Sequence, residues 1–309
     1  MAEFETLQKL HVRMKRYWYV KTLERVESDA GRETDDEVGR SRRDRRLADA
    51  IRDFRPFLLQ HLTVEHIDLA ERFVMASALC PSDEISGLLH DLLDETAKTA
   101  AEMAAGNGAQ RSDRIITPND PVTPFAALTP FPATNELLER IDLAQGLLRR
   151  LEMTGKEMPV WGHDLAGNVF DAKTLEGKVV LLDFWATWCA PCVAEFPHLK
   201  NLYEKYHDRG FEIVGYNVDS DLEQLTAFLR RRPLPWPVLV REKSLEKGAV
   251  SLSEPPLPEM PLSTYYGARK LPVVLLRDRD GKVVMLDARG GALAEVLERL
   301  LANHTTWCG

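Results

Sequence analysis

Apolar positions repeat at helical spacing through the first third of the chain and change period after about residue 155. Leu7, Leu10, Met14, Tyr17 and Trp18 share one side of a helix predicted over 5 to 27. That face is read as docked on neighbouring helices rather than on a membrane, because Glu3, Glu5, Glu24 and Glu27 dilute its positive charge. Residues 28 to 46 mix acidic and basic clusters, including Arg42, Arg43, Arg45 and Arg46, and read as a solvated loop or frayed helix. Helices are predicted over 47–60, 64–79 and 83–104, with Pro81 breaking the last two and Ser82 or Asp83 capping the third. Residues 106 to 134 are rich in Gly, Pro, Asn and Thr and read as a linker. Asn135 is placed as the cap of a connecting helix that runs through Leu151.

Beyond residue 155 strand and helix patterns alternate. Val179, Val180, Leu181 and Leu182 form an apolar, β-branched run that reads as a buried strand over 179–184. Val193, Phe196, Leu199, Leu202 and Tyr203 then give a helix over 190–206, and a second strand follows over 211–217. Asp221 can cap a helix ending at Arg231. Residues 272–277 and 282–287 make an antiparallel hairpin around Asp280-Gly281, and 293–301 a closing helix. The predicted organisation is an α-helical region over 1–105, a linker over 106–134, a connecting helix over 135–155 and an α/β domain over 156–309.

Composition fits this division. At 309 residues and 44% hydrophobic, the chain is long enough for two domains. A net charge of −8 argues against nucleic acid as a partner. No apolar stretch approaches the roughly 20 residues of a membrane span. The N-terminus lacks a basic start followed by an apolar run, so it does not read as an export signal.

The candidate chemistry lies where the strand at 179 hands over to the helix at 190. Cys189 and Cys192 flank Ala190-Pro191 there. Unpaired amides and the positive dipole end of a helix stabilise a thiolate, and Cys189 precedes the first turn. Cys189 is therefore assigned as nucleophile and Cys192 as the thiol that resolves a mixed disulfide. Pro191 removes a backbone donor and stiffens the turn. No second CxxC or nearby Cys/His cluster completes a zinc set, so no metal is assigned. Cys80 reads as a buried structural thiol. Cys308 is compatible with a free thiol, a pair with Cys80 or an intermolecular bridge.

The stretch Phe184-Trp185-Ala186-Thr187-Trp188-Cys189-Ala190-Pro191-Cys192 resembles the thioredoxin superfamily, most closely its TlpA/ResA-like thiol-disulfide oxidoreductases. Glu195, Pro197, Leu271-Pro272 and Arg279-Asp280-Gly281-Lys282-Val283 extend the match, which covers about residues 156 to 303. The resemblance implies a thioredoxin-like α/β fold, a central mixed sheet flanked by helices, opened by a β-hairpin whose turn is Gly167-Asn168. Residues 234–239 match a segment common in the subfamily, and 241–263 read as an insertion. A cis Leu271–Pro272 bond is implied, offering residue 271 to an extended substrate beside Cys189, with Trp188 and Pro191 also shaping the substrate surface. Asp183 takes the place of thioredoxin's buried aspartate and Glu195 that of the subfamily's active-site glutamate. Glu195 is expected to lead in proton transfer with Asp183 modulating it. The implied activity is reduction of protein disulfides with no cofactor beyond the Cys189–Cys192 couple. An upstream thiol reductant is implied, either a membrane thiol transporter or a thioredoxin-type system, together with service to cytochrome c maturation. The implied location is the periplasm or cell envelope, with the cytoplasm as the alternative. A binding or chaperone-like module, its helical region holding a client, is the competing function.

Overall fold

The computed structural model describes residues 2–30, 37–106, 134–240 and 260–302. The expected linker at 106–134, the insertion at 241–263 and Cys308 lie largely or wholly outside these residues. Two compact units are present, Met1–Leu148 and Arg149–Gly309.

The first unit is helical: α1 (Ala2–Ala30), α2 (Glu37–Gln60), α3 (Val64–Ser77), α4 (Asp83–Gly106) and most of α5 (Thr134–Leu151). Tyr19, on α1, packs edge-on against Phe54 and Phe73, and its hydroxyl donates to the Asp53 carboxylate at 2.8 Å. This overturns the expected α1 face. Leu10, Met14, Tyr17 and Trp18 are at least half exposed, while Tyr19, Leu23 and Val26 are fully buried. The helix carries two apolar stripes, and the aromatic cluster on α2 and α3 selects the one it can interlock with. Of the stretch read as a solvated loop or frayed helix, residues 28–30 end α1 and 37–46 open α2, which decides for helix there. Ser82 Oγ accepts the Ile85 amide at 3.2 Å and caps α4, and Cys80 is buried. The connecting helix starts at Thr134, so Asn135 lies inside it.

The second unit is built on a five-stranded sheet, β1 (Val179–Trp185), β2 (Phe211–Asn217), β3 (Val238–Val240), β4 (Val273–Arg277) and β5 (Val283–Leu286), in the order β3-β2-β1-β4-β5. β1, β2 and β3 are parallel, β4 is antiparallel to β1, and β5 to β4. The crossovers are α6 (Ala190–Tyr206) and α7 (Leu222–Arg231), a short α8 (Leu262–Tyr265) precedes β4, and α9 (Gly290–Leu301) closes the chain. This is a thioredoxin-like α/β fold. All seven β1 residues are buried, which explains its unbroken apolar run. Alternate side chains serve two cores. Val179, Leu181 and Trp185 join α6, α7 and α9 on one face, while Val180, Leu182 and Phe184 meet Met158, Val160 and α8 on the other.

The expected hairpin over 159–170 is reduced to a single His163–Val169 bridge. Its turn is held by Asp164, whose carboxylate accepts the amides of Ala166 and Asn168, and Gly167 occupies the left-handed position at φ +85°. His163 also bridges Val240, so the segment runs on to the β3 edge instead of pairing mainly with itself. Among the described residues no helix is long and apolar enough to cross a membrane.

Candidate active site

β1 ends at Trp185, and Ala186, Thr187 and Trp188 carry the chain to α6. Asp219, just past β2, grips this loop. Its carboxylate accepts the Thr187 amide at 2.9 Å, the Thr187 hydroxyl at 3.2 Å and the Asn217 side-chain amide at 2.9 Å. Asp219 is 4% exposed, so three donors hold a carboxylate taken out of water. Beneath the loop Trp185 packs edge-on against Phe196, and Gly215 on β2 leaves room for it. A Cβ there would lie 3.0 Å from the Trp185 indole nitrogen.

Cys189 is the N-cap of α6 and is joined to Cys192 by a disulfide of 2.04 Å. Its sulfur accepts the Cys192 amide at 3.3 Å, one of the helix's first, otherwise unpaired donors. Pro191 sits in the first turn, where its missing N–H leaves no gap. Both cysteines are buried in the disulfide, Cys189 at 4% exposure and Cys192 at 2%. Accessibility does not separate the two thiols; position at the helix start does.

Asp183 stands in the middle of β1, facing the same side as Leu181 and Trp185, and is 3% exposed. Burial, chiefly, and the nearby charge of Glu195 push its carboxyl up to about 7, with Arg289 opposing. Glu195, half-buried on α6, accepts the Gly290 amide at 3.1 Å where α9 begins. His198, one turn on, has a ring nitrogen 3.3 Å from the Gly290 carbonyl. The helix that carries the cysteines is thus tied to the start of α9 by a carboxylate at a helix N-terminus. The Leu271–Pro272 bond is cis. It immediately precedes Val273, which pairs with Phe184, so it lies at the end of β1 that leads to the cysteines. Leu271 packs on the core that contains both sulfurs.

The Redoxin family model matches residues 153–290. A thiol-disulfide oxidoreductase ResA of Bacillus thuringiensis is 34% identical over 152 residues, which span 49% of this chain and 78% of that protein. The chain belongs to the ResA-like thiol-disulfide oxidoreductases. A ResA of Halalkalibacterium halodurans is 30% identical, over 45% of this chain and 69% of that protein. The thioredoxin domain of a Bacteroides vulgatus thiol-disulfide oxidoreductase is 28% identical, with a TM-score of 0.40, over 48% of this chain and 97% of that one.

In this ResA-like domain the structure gathers Cys189, Cys192, Leu271 and Pro272 at the end of β1 that leads to α6, places Asp183 two residues inside the strand within electrostatic range of Glu195, and leaves Trp188 and Pro191 exposed beside the disulfide. Trp185 is fully buried, a support under the loop rather than part of its surface. Sequence reasoning missed Asp219 and Thr187. The available signal was an Asn-x-Asp run, Asn217 to Asp219, at the end of a strand, where such side chains bond locally to backbone.

Proposed function

We propose that this ResA-like domain reduces disulfides in partner proteins through the Cys189–Cys192 couple. The observation that carries the reading is the Cys189 sulfur at the N-terminus of α6, receiving the Cys192 amide. In the reduced domain the Cys189 thiolate attacks one sulfur of the substrate disulfide. That S–S bond breaks, a mixed disulfide forms, and the first substrate thiolate leaves and takes a proton. The Cys192 thiol then loses its proton and attacks the Cys189 sulfur. The second substrate thiolate leaves, the domain disulfide forms, and two electrons have passed to the substrate. An external dithiol restores the couple, and no cofactor takes part.

Of the two carboxyls, Asp183 receives the Cys192 proton, and Glu195, which the resemblance had leading, takes the secondary part. A carboxyl titrating near the working pH is suited to general-base work, which favours Asp183 as the acceptor, with Glu195 setting its charge environment. The cis Leu271–Pro272 segment, Trp188 and Pro191 hold an extended substrate beside Cys189. By family likeness the domain works in the cell envelope, draws electrons from a membrane thiol transporter or a thioredoxin-type system, and serves cytochrome c maturation.

The test is reduction of a protein disulfide by the full chain with a recycling dithiol. Turnover is expected to vanish in Cys189→Ser, and Cys192→Ser is expected to accumulate mixed disulfide. Wild-type turnover by Cys189→Ser would end the redox reading. It would favour the client-holding alternative, for which the exposed Leu10, Met14, Tyr17 and Trp18 are the supporting observation.

A further inference from the structure

A groove of about 740 Å³ opens beside the redox loop, between α6 and α7. Trp188, Val193 and Pro197 line one side, and Phe228, Arg231 and Arg232 the other. Trp188 is 65% exposed, though an indole left in water costs apolar burial. Neither Arg231 nor Arg232 forms an ion pair with a carboxylate among the described residues. Arginines at a helix C-terminus also answer the helix dipole, and Arg231 does so by donating Nε to the Ala227 carbonyl at 3.2 Å. That contact fixes its stem and leaves the charge at the groove. Arg232 lies over the Phe228 ring at 5.8 Å, so an aromatic floor and a cation are presented together. Among the described residues that line this groove none is a carboxylate, although the chain as a whole carries a net charge of −8.

We propose that this groove reads the polypeptide flanking the substrate cysteine and selects partner segments that pair an apolar side chain with acidic residues. The inference rests on the reading of the domain as a protein-disulfide reductase and names the substrate class that reading leaves open. The apolar residue packs on Trp188, Val193 and Pro197, and the acidic residues meet Arg231 and Arg232. A partner with a basic flank meets two like charges next to the reacting sulfurs.

Two peptide pairs test it on the full chain. In each pair a leucine follows the reacting position and is followed by two glutamates or by two lysines. The first pair carries serine in place of cysteine and is titrated into the oxidised chain, binding being read from indole fluorescence. This arm works whether or not the chain turns over any disulfide. The glutamate peptide is expected to bind about tenfold tighter at low ionic strength, since it gains two exposed charge pairs where the lysine peptide meets two like charges. The preference is expected to shrink toward unity near 1 M salt, where the Debye length falls to about 3 Å. The second pair keeps the disulfide and is followed by turnover, where the same preference is expected. In the double variant Arg231→Glu/Arg232→Glu the preference is expected to invert. The readout is a ratio within one protein, so a partly misfolded variant cannot mimic inversion. Equal binding of the two peptides by the wild-type chain, or a glutamate preference that survives in the double variant, overturns the inference. Charge-selective binding without turnover of either disulfide peptide would sustain the groove and count against the reductase reading.

Discussion

Replacing Asp183 by Asn tests the role of its carboxyl. The carboxyl is buried in the central strand, and its pKa is raised from an ordinary 3.8 to about 7. A raised folded-state value means that the folded chain holds this proton more tightly than the unfolded chain. The associated stability is therefore fully present below pH about 4 and is lost as pH rises toward about 7. The interval is roughly 3 pH units, and at ~1.4 kcal/mol per unit the loss is about 4 kcal/mol. Asn has nearly the same shape and cannot ionise. Any cost of burying its amide is independent of pH and appears as a constant offset. Urea unfolding of the oxidised chain between pH 4 and 8, followed by indole fluorescence, is the assay. The stability of Asp183→Asn relative to wild type is expected to climb by ~1.4 kcal/mol per pH unit across the window and then level off. A flat difference, or one that falls with pH, would refute the reasoning. Kinetics offer a second check. Asp183→Asn is expected to slow resolution of the mixed disulfide by ~10²-fold or more and to erase an inflection near pH 7. Glu195→Gln removes a charge that raises Asp183, so its inflection is expected at lower pH.

In the reduced chain, limited iodoacetamide is expected to label Cys189 ahead of Cys192, and dominant labelling of Cys192 would reverse their order. Cys80, whose thiol is pushed up to about 11 by burial, is expected to stay unlabelled until the chain unfolds, as mass mapping can show. Asp219→Ala removes the acceptor for three donors and is expected to cost about 1–3 kcal/mol of stability and to slow turnover; an unchanged midpoint and rate would mean the grip is idle. A chain trimmed to residues 149–309 is expected to stay folded and active. Trimming to 156 removes the Arg149 bond to the Tyr265 carbonyl at 2.7 Å and the Thr154–Val283 bridge, and a lower melting temperature is expected.

The sequence alone determined the parts of this protein governed by local pattern. The strand at 179, the helix over 190–206, the strand over 211–217 and the Asp221 cap are legible because hydrophobic period and capping chemistry are short-range properties. The placement of two cysteines at a helix start was readable for the same reason. Tertiary structure decided what depends on which surfaces meet. It chose between two apolar stripes on α1, because only the Tyr19 side interlocks with Phe54 and Phe73. It brought Asp183, on a strand, within electrostatic range of Glu195, on a helix twelve residues later, and buried the first deeply enough to move its titration. It withdrew both sulfurs from solvent while leaving Trp188 out. It also placed Arg231 and Arg232 beside the redox loop, although some forty residues separate them from it in the chain. Burial and charge proximity are sums over the whole packed molecule, so no window of the sequence contains them.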